Sequence, residues 1–205
     1  MAQAQPWESL VETHIIGIDE AGRGCLAGPV YAGAVILKSD KYCEEIRDSK
    51  TLSESRREEI FERILEAHRV GIGFASVEEI GRLNILNAAL LAMKRAFENL
   101  GLTEAELLDC HVLVDGNQKI GGLNYPQTAV IKGDQKVKAI AAASIVAKVM
   151  RDRELRKLDE VFPQYGFKVH KGYGTEAHRR SIAEHGPCSH HRATFAGVRE
   201  HWSFE

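Results

Sequence analysis

Apolar and polar positions fall into blocks of two different periods along this chain. "THIIGID" (13–19) is a short β-branched run closed by an acid and reads as a strand. "PVYAGAVILK" (29–38) is a second strand, reached through the turn "GRGCLAG", and "RVGIGFAS" (69–76) is a third. Between these two, "SESRREEIFERILEAH" places Ile60, Ile64, Leu65 and His68 near helical spacing, with Ser53 available as the cap. "NILNAALLAMKRAFENLG" (84–101) predicts an amphipathic helix. Its core stripe is Leu86, Leu90, Met93 and Phe97, and it stops at Gly101. "CHVLVDG" and "QTAVIKGD" read as a fourth and a fifth strand. "VKAIAAASIVAKVMRDRELRKLDEVF" (137–162) predicts a long helix ending before Pro163, and its alanine-rich first half implies close packing on a sheet.

Three early strands followed by strands alternating with helices predict an α/β domain with a mixed sheet. The last segment breaks the pattern. Residues 164–205 show no strand signal, hold six of the nine histidines, and carry helix-start signals at Thr175 and Thr194. The expected organisation is an N-terminal tail (1–13), a main domain (14–163) and a small C-terminal helical appendage (164–205) packed on its edge.

Composition narrows the class. A length of 205 residues with 44% hydrophobic and 27% charged positions suits a soluble globular chain. No apolar run approaches the ~20 residues needed to cross a bilayer. "MAQAQPWESLVET" lacks the basic head and apolar core of a secretory signal, so a cytoplasmic protein with no membrane partner is expected. Cys25, Cys43, Cys110 and Cys188 are scattered and expected as free thiols. "PCSHH" invites a zinc reading, but no second cluster is spaced to complete four ligands. A monomer is the simplest assembly. The net charge of −2 is unremarkable, yet residues 132–157 hold eight Lys/Arg against three acids. A basic face with an acidic back is one way to meet phosphates, and a solvated helix face is the plainer explanation.

The acids carry the chemistry. Asp19 and Glu20 close the first strand, Asp115 closes the fourth, and Asp134 follows the fifth, each beside or near glycine. Singly these are ordinary turn residues. Brought to one sheet edge they would repel unless a cation lay between them. A donor set of oxygens alone points to a hard divalent ion, Mg²⁺ or Mn²⁺, and suits two-metal phosphoryl transfer. A non-catalytic nucleic-acid-binding module, with the acids as turn formers, is the alternative, and an acid-lined nucleotide phosphatase a third reading. No G-x-x-x-x-G-K-[ST] loop is present, which argues against a P-loop ATPase.

The opening "GIDEAGRGCLAGPVYAGAVIL" closely resembles the first motif of the type 2 ribonucleases H, the ribonuclease HII family in its bacterial form. "DSKTLSESRREEIF", "NILNAALLAM", "VLVDGN", "IKGDQKVKAIAAASIVAKVMRDRE" and "GYGTEAHRRSIAEHGPCSHHRATF" match in order, from about residue 14 to residue 198. The resemblance implies an RNase H-like fold, a central five-stranded mixed sheet flanked by helices. It implies cleavage of RNA in RNA–DNA hybrids. It also implies incision 5′ to single ribonucleotides in duplex DNA, leaving a 3′-hydroxyl and a 5′-phosphate. By position, Asp19, Glu20, Asp115 and Asp134 resemble the four metal-holding carboxylates. Asp134 is preferred over Asp152, because Arg151-Asp152-Arg153 reads as an ion network on a helix surface. Gly22-Arg23-Gly24 resembles the family's reader of the 2′-hydroxyl, and Tyr173 the tyrosine stacked on the following deoxyribose. Lys50, Lys148 and Lys171 are candidate phosphate contacts. Ala193 and Thr194 stand where many relatives have a serine. In the tail "REHWSFE", Trp202 and Phe204 are candidates for contact with a replication clamp.

Overall fold

Ile15, Ile16 and Ile18 are stiff, β-branched residues that suit a pleated backbone, and β1 (His14–Ala21) forms across them. β2 (Val30–Ile36) pairs with it antiparallel, from Ile16↔Ile36 to Ala21↔Tyr31. β3 (Arg69–Ala75) pairs antiparallel with β2 and forms that edge. On the other side β4 (Cys110–Asp115) runs parallel to β1, and β5 (Gln127–Val130) runs parallel to β4. The order β3-β2-β1-β4-β5 is the five-stranded mixed sheet that the sequence predicts. This computed structural model describes residues 10–39, 41, 43–46 and 52–202. Lys50 and Phe204 lie outside the described residues.

Helices cover both faces. α1 (Glu54–Ala67) and α5 (Lys138–Val161) enclose one core with Val35, Ile60, Phe61, Ile64, Ile145 and Val146. Ser53 caps α1 by accepting from the Arg56 N–H, as its position in the sequence suggests. The alanine-rich half of α5 lies so close to β1 that a Cβ at Gly17 would stand 2.1 Å from the Ala139 carbonyl carbon.

α2 (Val77–Leu83) and α3 (Ile85–Glu98) cover the opposite face. Here the apolar stripe differs from expectation. Ala88, Ala92, Ala96, Met93 and Phe97 are buried, whereas Leu86 is 39% exposed and Leu90 only partly buried. The cause is close approach: a Cβ at Gly73 would stand 2.2 Å from the Ala92 carbonyl, so only small side chains fit between α3 and β3. α2 and the short α4 (Glu104–Leu108) each begin with a capping box, Ser76 with Glu79 and Thr103 with Glu106.

The C-terminal part holds α6 (Phe167–His170) and α7 (Glu176–His185), the latter capped by Thr175. Thr194 begins no helix; only a 3₁₀ turn at Arg199–His201 follows. Phe167 and Tyr165 pack on Ala27, Leu155 and Leu158, while Ile182 and Val198 pack on Leu26. Isolated bridges Cys25↔Tyr173 and Ala27↔His191 fasten this segment to the β1–β2 loop. Trp202 leans on the same small cluster as Leu26.

Candidate active site

Neighbouring residues of a strand point to opposite faces of its sheet. Asp19 lies on the α5 face of β1, where the Ser144 hydroxyl bonds to it, and Glu20 lies on the α3 face beside Arg23. They nevertheless share one hollow of about 270 Å³ with Asp115. The pairing explains how. β1 continues along β2 to Ala21, but its ladder with β4 ends at Ile18↔Val114. Past that point nothing separates the two faces, so both carboxyls reach the gap. Asp115, the last residue of β4, is fixed beside them by the Gly133 N–H, which donates to its Oδ1 at 2.7 Å.

Burial and mutual repulsion act on Asp19 and Glu20. Asp19 is 5% exposed and accepts the Glu20 N–H at 2.7 Å. Burial, then the nearby Glu20 and Asp115 charges, hold its carboxyl well above the usual range. Glu20 is also raised, chiefly by burial; its bond to Arg23 (3.1 Å) opposes the rise and Asp115 adds to it. Among the described residues no three His, Cys, Asp or Glu side chains stand as they are in an arrangement that would hold a metal ion, so these acids would have to close on one. A buried, oxygen-only, electron-rich set open on one side fits a divalent ion that keeps part of its coordination for water and substrate.

The rim is cationic and aromatic. Gly22, Arg23, Lys148 and Tyr173 line the hollow, together with Ala21, Arg57 and Ser144. Lys148 Nζ stands 5.6 Å from the Tyr173 ring centre and 2.7 Å from Asp152. Tyr173 remains 44% exposed. Gly22 has φ of +100°, and a Cβ there would stand 2.0 Å from Arg151 Nε. Its missing side chain is therefore required by packing beneath the loop. Gly24 differs: no atom lies within 4 Å of a Cβ placed on it.

Other expected residues lie elsewhere. Asp134 sits in the 3₁₀ turn Gly133–Gln135, 5% exposed, and lines a separate hollow with Ile46, Gln135 and Lys138. It is not among the residues that line the acid hollow; its turn reaches that hollow through the Gly133 N–H on Asp115. Lys171 is buried, and its ammonium is held by the Lys168 carbonyl and by Glu54, away from the hollow. Arg151-Asp152-Arg153 is only in part a surface network. Arg153 binds Glu58 and Glu62, but Arg151 and Asp152 are buried at 0% and 2% exposure. Ser144 and Arg57 were not singled out from the sequence. Ser144 and Lys148, four apart in the apolar half of α5, put two polar groups on one buried face, which is a readable signal. Arg57 sits in a charged helix and carries none.

A mixed sheet whose central strand delivers adjacent Asp and Glu to a shared hollow, with a third acid and a rim of Arg and Lys, defines a phosphodiester hydrolase of the carboxylate-site nuclease class. The family model Ribonuclease HII matches residues 16–203. A ribonuclease HII from Cupriavidus necator is 52% identical over 187 residues, covering 91% of this chain and 77% of that protein. Among solved structures, the ribonuclease H2 of Pyrococcus horikoshii OT3 has a TM-score of 0.76 at 25% identity, covering 92% of this chain and 96% of that one. The RNase HII of Archaeoglobus fulgidus, solved in complex with PCNA, has a TM-score of 0.71 at 29% identity, covering 89% and 95%. The chain belongs to the ribonuclease HII family. It is an enzyme, a ribonuclease H with endonuclease activity.

Proposed function

We propose that this enzyme hydrolyses the RNA strand of RNA–DNA hybrids and incises 5′ to single ribonucleotides in duplex DNA, leaving 3′-hydroxyl and 5′-phosphate ends. The observation that carries the reading is the meeting of Asp19, Glu20 and Asp115 in a hollow rimmed by Gly22, Arg23 and Tyr173. Asp19, Glu20 and Asp115 would hold the divalent ion, Mg²⁺ or Mn²⁺. Asp134, on the turn bonded to Asp115, completes the set. When bound, a pair of such ions stabilises charge on the attacking and leaving oxygens of an in-line displacement. Arg23, Lys148 and Arg57 take the phosphates, which gives affinity and salt dependence without sequence choice. Gly22-Arg23-Gly24 reads the 2′-hydroxyl, the one group that marks ribose, and Tyr173 stacks on the next sugar. Ser144 and the Glu20 N–H orient Asp19.

The enzyme works in the cytoplasm on RNA–DNA hybrid and ribonucleotide-bearing DNA; no described helix is long and apolar enough to cross a membrane. A sliding clamp is a further partner, supported by the A. fulgidus relative, with the segment around Trp202 as its contact. The deciding test is cleavage of a DNA duplex carrying one ribonucleotide, with Mg²⁺, with Mn²⁺ and with chelator. A metal-dependent cut mapped 5′ to the ribonucleotide is expected. Binding without a cut under either metal would overturn the reading in favour of a binding module.

A further inference from the structure

Arg192 is a buried cation with no acidic partner among the described residues. Its side chain is 1% exposed, and the acceptors it finds are main-chain carbonyls. Nη2 donates to the Gly22 carbonyl (2.7 Å), Nη1 to that of Arg23 (2.9 Å) and Nε to that of Gly28 (3.0 Å), with Pro29 at 3.4 Å. A buried guanidinium is normally neutralised by a carboxylate. Here the carbonyl dipoles of a single loop take that place. Arg151 likewise donates to carbonyls, that of Lys171 (2.8 Å) in the C-terminal segment and those of Ala27 (3.0 Å) and Pro29 (3.3 Å) in the loop.

The consequence follows from peptide geometry. No peptide among the described residues is cis, so each of their N–H groups points opposite to the preceding carbonyl. With the Gly22 and Arg23 carbonyls drawn onto Arg192, the N–H groups of Arg23 and Gly24 are turned away from it. Neither finds an acceptor among the described residues. Arg23 lines the acid hollow, and the space over Gly24 is open.

We propose that Arg192 is a positioning residue for sugar recognition: by holding two carbonyls inward it aims the Arg23 and Gly24 N–H groups at the ribonucleotide's 2′-hydroxyl and adjoining phosphate. This rests on the substrate reading given above. Arg192→Lys keeps the charge but cannot span the carbonyls, and Arg192→Gln keeps two donors without the charge. For each, kcat/KM is measured on a duplex with one ribonucleotide, the inhibition constant for the all-DNA duplex of the same sequence is measured as a competitor, and Tm is recorded. Both variants are expected to lose roughly ten-fold in kcat/KM, the value of about one well-made hydrogen bond to a polar or charged group, while all-DNA binding stays within about two-fold. A folded variant with wild-type kcat/KM would overturn the proposal. So would a parallel loss of all-DNA binding and Tm in both variants, which marks a merely structural residue. If the wild type itself shows no preference for ribonucleotide over all-DNA duplex, the substrate reading fails, whatever Arg192 does.

Discussion

Three residues carry the charge problem of the hollow, and Asp19 is the most buried of them. Asp19→Asn is expected to abolish cleavage while hybrid binding persists; retained turnover would remove Asp19 from the metal site. The same change removes a buried charge that repels Glu20 and Asp115. In chelator it should therefore raise unfolding stability, on the order of 1 kcal/mol, read by denaturant titration. The fourth acid is a sharper test. Asp134→Asn is expected to impair cleavage severely and Asp152→Asn to leave it largely intact; the reverse would move the role to the acid bonded to Lys148. Tyr173→Ala should cost roughly ten-fold or more on single-ribonucleotide substrates, as befits a lost stacking platform. Unchanged kinetics would make it a packing residue. At this scale the sequence was legible where chemistry and neighbours coincide in the chain, as in Asp-Glu followed by Gly-Arg-Gly. It was not legible for Arg151 and Arg192, because an arginine that binds distant carbonyls looks like any surface arginine.

At the scale of elements, closeness rather than hydrophobicity decides the layers. α5 meets β1 at Gly17 and α3 meets β3 at Gly73, with helix backbone where a side chain would otherwise stand. Gly17→Ala is expected to cost about 3 kcal/mol or more, since the clash is with backbone that cannot rotate away, and it should lower activity by displacing Ser144 and Lys148 on α5. A loss below about 1 kcal/mol by chemical denaturation would show that α5 can shift. The five strands and long helices were readable from periodicity. The exposed Leu86 shows where that fails: a leucine stripe looks like a core face, but the sheet facing α3 is glycine-lined and selects the alanines instead. α2 and α4 carry capping signatures that periodicity over so few residues cannot reveal.

Across the whole molecule, buried histidines tie the C-terminal segment together beneath Tyr173. His178 Nδ1 faces the Tyr173 carbonyl (2.9 Å) and so carries a proton, which leaves its Nε2 to accept from His191 Nε2 at 3.1 Å. His191 Nδ1 then accepts the Cys188 N–H at 3.0 Å. Both rings are neutral in this chain, and burial lowers both to about 4. As pH falls through the ordinary histidine value of about 6.5, the unfolded chain takes up protons that the folded one refuses. Stability is therefore expected to decline between about pH 6.5 and 4, by on the order of 3 kcal/mol, and His178→Gln should flatten that slope in denaturation curves. An unchanged slope would place the sensitivity elsewhere.

The bond from Arg192 to the Gly22 carbonyl joins residues 170 apart in the chain. A polypeptide emerging from the ribosome makes its first strand early, but the loop after that strand gains its clamp only when synthesis is nearly finished. A chain interrupted before position 192 has made all four acids without the contact that shapes the loop beside them. Order of synthesis thereby completes the residues of the acid hollow before the contact that holds the loop beside them.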